Sequence, residues 1–164
     1  MSRLLAVAFA GILATGLALA QSKTPFGDLG DDSDKPIHIY CDGGQEFDFN
    51  AETSTCKVAR IEQGEMILRA DTVLAEAPGS KLTRITASGD VIVTSKDATA
   101  RAPRAVYETE ARMIRLSGGV VLTQGGNTLR GTDLVVDLKA GTAVLTSTGG
   151  RVEGILQPGS VKGQ

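Results

Sequence analysis

Apolar and polar residues alternate along most of this chain with a period of two, and no window beyond Ala20 sustains a helical period. In Asp133–Leu138 the residues Leu134, Val136 and Leu138 share one face and the aspartates the other. Ile37 and Ile39 flank His38, Phe47 and Phe49 flank Asp48, and Arg112–Leu116 turns Ile114 and Leu116 inward in the same way. The alternation predicts short strands over 37–41, 46–50, 55–62, 65–70, 72–76, 82–87, 90–95, 98–102, 105–109, 113–117, 120–124, 128–131, 134–138, 143–147 and 151–156. Glycines such as Gly64, Gly89, Gly118, Gly119, Gly125 and Gly126 fall between these runs, where tight connections need positive φ. The expected class is all-β, built from many short antiparallel strands.

A turn-and-strand unit recurs about every thirty residues. Ile61–Ala70 is answered by Leu122–Gly131, and a degenerate copy runs from Val93 to Ala102. Stacked copies bury apolar faces against one another, which suits a scaffold or a long surface better than one catalytic pocket. The inward residues are aliphatic, with no Trp, four Phe and two Tyr. Such a stack encloses a slot, packed shut or open to a ligand.

Residues 1–20 carry Arg3, an apolar run from Leu4 to Leu19 and a small-x-small end at Ala18–Ala20, the pattern of a cleaved export signal. Residues 21–35 are rich in Gly, Asp and Ser and are expected to be a flexible leader, followed by one domain over 36–158 and a tail over 159–164. The formal net charge is −2, without the basic surplus of a nucleic-acid binder. Twelve acids face four bases between Asp28 and Glu76, whereas Lys81–Arg115 holds seven bases against four acids. This is either ordinary strand-face solvation or a polar molecule able to meet partners end to end. Cys41 and Cys56 are the only cysteines. An oxidising compartment favours a bridge between them over two small core residues.

Candidate chemistry is sparse. The one histidine, His38, sits on the outer side of its strand without a recognisable nucleophile and orienting acid. Asp42, Asp48, Asp71, Asp133 and Asp137 fall at strand ends or outer faces, where turn-making and solvation account for them. The glycine pairs lack the following helix that a phosphate-cradling loop requires. No enzyme, metal or cofactor is expected. Binding through an apolar interior or through exposed strand edges remains.

Several stretches resemble the OstA-like (LptA) family of periplasmic lipopolysaccharide transport proteins. They are Asp34–Ile39 with Asp42, Phe47–Phe49, Gln63-Gly64, Ala70-Asp71, Ala105–Glu108, Ile114–Gly118, Val120–Gln124, Leu129–Asp133 and Ile155–Pro158. The chain departs from the family pattern at Cys41, Cys56, Arg60 and Gly43-Gly44. The resemblance implies an open, V-shaped β-jellyroll whose apolar groove holds the lipid A part of lipopolysaccharide. It implies a non-enzymatic carrier and bridge across the periplasm, associating head to tail and meeting an inner-membrane LptC-like protein and an outer-membrane LptD-like translocon. By matching position it assigns Ile37, Ile39, Phe49 and Tyr107 to lipid binding. Alternation adds Phe47, Leu68, Ile114, Leu116, Leu122, Leu129, Leu134 and Val136. The alternatives are a periplasmic strand-pairing module and a structural β-solenoid, neither binding lipid.

Overall fold

Ten strands form one antiparallel sheet in the structure, a computed structural model that describes residues 32–96 and 98–156. The strands are β1 (His38–Cys41), β2 (Gln45–Asp48), β3 (Thr53–Gln63), β4 (Met66–Glu76), β5 (Arg84–Ser95), β6 (Ala98–Glu108), β7 (Met113–Gln124), β8 (Asn127–Asp137), β9 (Thr142–Thr146) and β10 (Glu153–Ile155). A short 3₁₀ turn, Pro78–Ser80, lies between β4 and β5. Consecutive long strands β3 to β8 pair as a meander, so each apolar residue finds its cross-strand partner locally. The expected export signal, most of the leader and the C-terminal tail lie outside the described residues.

The long strands correct the sequence expectation of paired short ones. In each of β4, β5, β6, β7 and β8 the chain continues through an expected break as one strand. The interruptions are β-bulges: the register shifts between Arg69 and Thr72, Ser88 and Val91, Arg101 and Arg104, and Ser117 and Val120. Gly118 and Gly119 have φ of 92° and 101° and lie inside β7, and Gly89, with φ 77°, lies inside β5. Positive φ is therefore spent on bending strands as well as on reversing them. A Cβ on Gly89 would strike the Asp71 carboxylate of the neighbouring strand, so close approach also demands glycine there.

These bulges line up across the sheet and crease it. Each long strand contributes one half to a hairpin arm, whose tips are the connections after Gln63, Ser95 and Gln124. The other half belongs to a loop arm, whose tips lie near 49–52, 77–83, 109–112 and 138–141. The three copies of the sequence repeat are the three hairpin tips of the first arm. β1 and β10 extend the hairpin arm at its two ends, and β2 and β9 extend the loop arm.

The inner faces of both arms are apolar and meet in one core. On the loop arm a cross-strand row runs Cys56, Val73, Ala87, Ala105, Leu116, Leu134. On the hairpin arm Ile61, Leu68, Val93, Ala100, Leu122 and Leu129 form the facing row. Alanines concentrate beside the crease, at Ala59, Ala70, Ala87 and Ala102, all buried. Small side chains let the two arms approach where the fold is sharpest.

Cys41 and Cys56 form a disulfide with Cα atoms 5.4 Å apart. Cys41 belongs to the hairpin arm and Cys56 to the loop arm, so the bridge staples the crease at the N-terminal edge. It closes a loop with a sequence separation of 15. A loop of that size contributes about 3 kcal/mol by the chain-entropy account.

Candidate functional site

The space between the arms is the one extended apolar interior among the described residues. Tyr107, Ile114, Leu116, Leu134 and Val136 face it from the loop arm, and Leu68 and Leu122 from the hairpin arm; all are buried. Ile37, Ile39 and Leu129 are partly buried and pack against the same cluster. The arms are closed over most of its length. A small cavity of about 20 Å³ lies between them, lined by Ile61, Met66, Leu68 and Val93 of one arm and Ile85, Ala105, Tyr107 and Ile114 of the other. Its lining is wholly apolar, so it offers a water no partners.

Phe47 is on the inner face, in register with Ser54, Ala75 and Ile85, but uncovered at the edge, whereas Phe49 lies beyond the end of its strand. β2 ends at Asp48, whose Oδ1 accepts hydrogen bonds from the Asn50 and Ala51 amides at 2.9 Å each and turns the chain away. Phe49 is thereby placed in the turn, 86% exposed, and Phe47 is 57% exposed because β2 is an edge strand. The two rings stack on each other with centroids 6.2 Å apart. They flank an open cleft of about 360 Å³ that reaches Ser54 and Ala75 of the inner row. Phe47 and Phe49 thus mark one end of the interior instead of its covered floor.

The open side of the V lies opposite the crease, between the two sets of tips, and it is strapped. Asp32 accepts a hydrogen bond from the Glu65 amide at a hairpin tip, 2.7 Å away, and pairs with Lys35 at 2.6 Å. Asp34 pairs with Arg112 at a tip of the other arm. Gln63, only 4% exposed, donates from Nε2 to the carbonyls of Ser33 and Lys35 at 2.9 and 3.0 Å. Its amide is also hydrogen-bonded to the Tyr107 hydroxyl across the gap. Residues 32–35 therefore do not belong to the flexible leader expected from composition. They cross from one lip to the other, held by polar contacts that carry no hydrophobic period and so left no trace in the alternation.

Burial pushes the Tyr107 hydroxyl above its ordinary pKa, with the Gln63 hydrogen bond opposing the shift. The phenol stays neutral and available as a clasp. At the strap, the hydrogen bond from Lys35 and then the Glu65 amide hold the Asp32 carboxyl below 3.8, and Asp32 in turn raises Lys35 above 10.5. A depressed carboxyl stabilises the fold above its unfolded pKa, and that contribution is lost as pH falls through its folded value. A raised lysine contributes below its unfolded pKa and loses the contribution as pH rises through its folded value. Both conditions hold between 3.8 and 10.5. Amide hydrogen exchange at Glu65 is therefore expected to show constant protection from pH 5 to 8 after correction for intrinsic rates. Protection rising or falling across that range would contradict the pairing.

Sequence reasoning missed Ile61, Met66, Ile85, Val93 and Ala105 as lining residues. Alanine and residues at strand ends fit either face, and the inward parity changes within β3, β4 and β6. It also missed Gln63, although the Gln-Gly pair shared by two repeat copies was a visible signal.

Comparison with known proteins agrees with this geometry. Residues 45–142 match the family described as LptA/(LptD N-terminal domain) LPS transport protein. No curated protein matches the chain. Among solved structures, the fold is similar to that of LptH from Pseudomonas aeruginosa, described as the LptA homologous periplasmic component of the conserved lipopolysaccharide transport device. The two share 20% identity with a TM-score of 0.68, over 77% of this chain and 99% of that one. At that identity the structural likeness speaks for the fold, an open antiparallel jellyroll, while the family match spans more than half of the sequence. The chain belongs to the LptA/LptD N-terminal domain family of LPS transport proteins.

Proposed function

We propose that this protein is a non-enzymatic carrier and bridge in the periplasm, holding the lipid A acyl chains of lipopolysaccharide between its two arms. The observation that carries this reading is the continuous apolar lining on both inner faces, closed over a residual cavity of about 20 Å³. Each methylene kept out of water is worth about 0.8 kcal/mol, so an apolar path removes a cost at every step of transfer. The lining is packed against itself, so accommodating acyl chains requires the arms to part at the strapped lips and exchange side-chain contacts for lipid contacts. That exchange is nearly neutral in buried apolar area, which suits a carrier that must also release. Family membership and the export-type segment at 1–20 support the periplasmic placement.

The experiment is site-specific photo-crosslinking in cells that make lipopolysaccharide. A photo-reactive residue at Leu68 or Leu116 is expected to label lipopolysaccharide, and one at Arg115, on the outer face of the loop arm, is not. Equal labelling inside and outside would remove the reading.

The strand edges support the bridging half of the proposal. β1 and β2 form one edge and β9 and β10 the other, each with a side left unpaired. The C-terminal edge carries exposed Val144, Val152, Ile155 and Leu156, and the N-terminal edge exposed Tyr40 and Phe47. Open edges of this kind accept another strand, from a second copy or from LptC-like and LptD-like partners. Sedimentation at rising concentration is expected to show chains of copies, reduced to monomer by Ile155→Lys. Monomer at every concentration for both proteins, with no capture of such partners, would leave the edges without this role.

A further inference from the structure

The outer face of the hairpin arm carries a regular row of cations that the carrier function does not use. Cross-strand register places Arg60, Arg69, Ile92, Arg101, Val121 and Arg130 side by side on β3 to β8. All four arginines are exposed, and the two aliphatic residues are partly so. Arg60 pairs with Glu62 and leans over the Tyr40 ring, 6.0 Å from its centroid. Arg69, Arg101 and Arg130 have no ion pair among the described residues, although Glu153 stands opposite Arg130 at the end of the row. Arg60 and Arg69 are directly opposite each other, an arrangement that like charges disfavour. The next outer row toward the hairpin tips is largely uncharged, with Thr94, Thr99, Thr123 and Thr128.

We propose that this row docks the linear glycan of the cell wall, in which every second sugar carries a short carboxylate-bearing peptide. Successive unpaired arginines are two strands apart, which is about 10 Å at ordinary strand spacing. A cation thus recurs with an aliphatic residue between each pair, on the scale of a two-sugar repeat in which every second sugar bears an anionic peptide. Tyr40, at the head of the row and 48% exposed, offers an aromatic face to a sugar ring. The cations form a line instead of a field, and sheet twist turns that line by about 20° per strand. A flexible chain follows such a line, whereas a flat bilayer meets only part of it. The chain as a whole is acidic, so attraction to a polyanion must be local to this face. The choice of glycan rests on the periplasmic placement proposed above. The arginines lie on the opposite side of the sheet from the acyl interior, so glycan docking and acyl holding are read by separate measurements.

The test is co-sedimentation of the full chain with purified, protein-free cell-wall sacculi at low ionic strength. Flotation with phosphatidylglycerol vesicles runs in parallel. The wild-type protein is expected to pellet with sacculi, to be released by salt, and not to float with vesicles. The triple variant Arg69→Gln, Arg101→Gln and Arg130→Gln is expected to bind sacculi about tenfold more weakly, the sum of three modest exposed contacts. A matched variant on the other arm, Lys57→Gln, Arg104→Gln and Arg115→Gln, changes net charge equally and is expected to keep wild-type binding. Both variants alter exposed side chains only, and circular dichroism checks their folding. Equal loss in the two variants would reduce the effect to net charge and overturn the proposal. So would binding to vesicles without sacculi, or no sacculus binding by the wild type. Retention of lipopolysaccharide by the triple variant reads the carrier function independently.

Discussion

Replacing Leu116 by alanine is expected to lower the unfolding free energy by about 2–5 kcal/mol, read as a lower urea midpoint at unchanged slope. Leu116 is fully buried, lies between Ala105 and Leu134 in the inner row of the loop arm, and belongs to the cluster that joins the two arms. Its small neighbour at Ala105 cannot expand to fill the space, so most of the cavity term persists. Arg115, one position along and facing out, supplies the internal control. Arg115→Ala should change stability by no more than about 0.5 kcal/mol. A loss under about 1 kcal/mol for Leu116→Ala would mean that the arms relax onto each other freely. The closed interior would then be a loose contact and not a packed core.

The inner face was legible in the sequence wherever a large aliphatic residue stood between polar neighbours. Leu134, Val136, Ile114, Leu116 and Leu122 were placed by alternation and lie on the inner faces. Legibility failed at the bulges, for a physical reason. The strands with the extra residue, β5 and β7, keep one inward parity, whereas β4 and β6 change theirs between Ala70 and Val73 and between Ala102 and Ala105, so one period-two count does not serve every strand. Gly118-Gly119 has the composition of a turn, but strand pairing on both sides, Ser117 with Asp133 and Val120 with Gly131, keeps the strand intact. Phe47 and Phe49 failed differently: Phe47 faces inward, but an edge strand has no neighbour to cover its side chain, and Phe49 lies in the turn beyond the strand. The strap is invisible to any hydrophobic pattern because it is held by Asp32, Asp34 and Gln63 through polar contacts across sequence separations of about thirty residues and more. The arginine row left no trace in the charge pattern, since Arg60 and Arg69 lie in the acid-rich stretch, Arg101 in the basic one and Arg130 in neither. Alignment into one row is a property of register, which local sequence does not contain.

Closure of the interior and the acyl-holding role place opposite demands on the same residues, and this makes them separable. Ala105 lines the cavity of about 20 Å³ between the arms. Valine suits a strand and would fill that space from the loop arm, stabilising the closed form. Ala105→Val is therefore expected to keep or raise the thermal midpoint, by about 3 °C for a gain near 1 kcal/mol in a domain of this size. The same methyl groups occupy volume that an acyl chain would take. Displacing about two methylenes of lipid costs about 1.6 kcal/mol at 0.8 kcal/mol each, which weakens retention of lipopolysaccharide by about tenfold. The measurement is lipopolysaccharide retained per protein after purification, set beside the melting curve of the same sample. A stabilised variant with reduced lipid would show that the packed interior and the acyl seat are one place. Wild-type lipid content in a stabilised variant would move the seat away from Ala105, toward the open cleft beside Phe47 and Phe49. A strongly destabilised variant would mean that the arms are too rigid to yield two methyl groups, and such rigidity is incompatible with an interior that opens for its ligand.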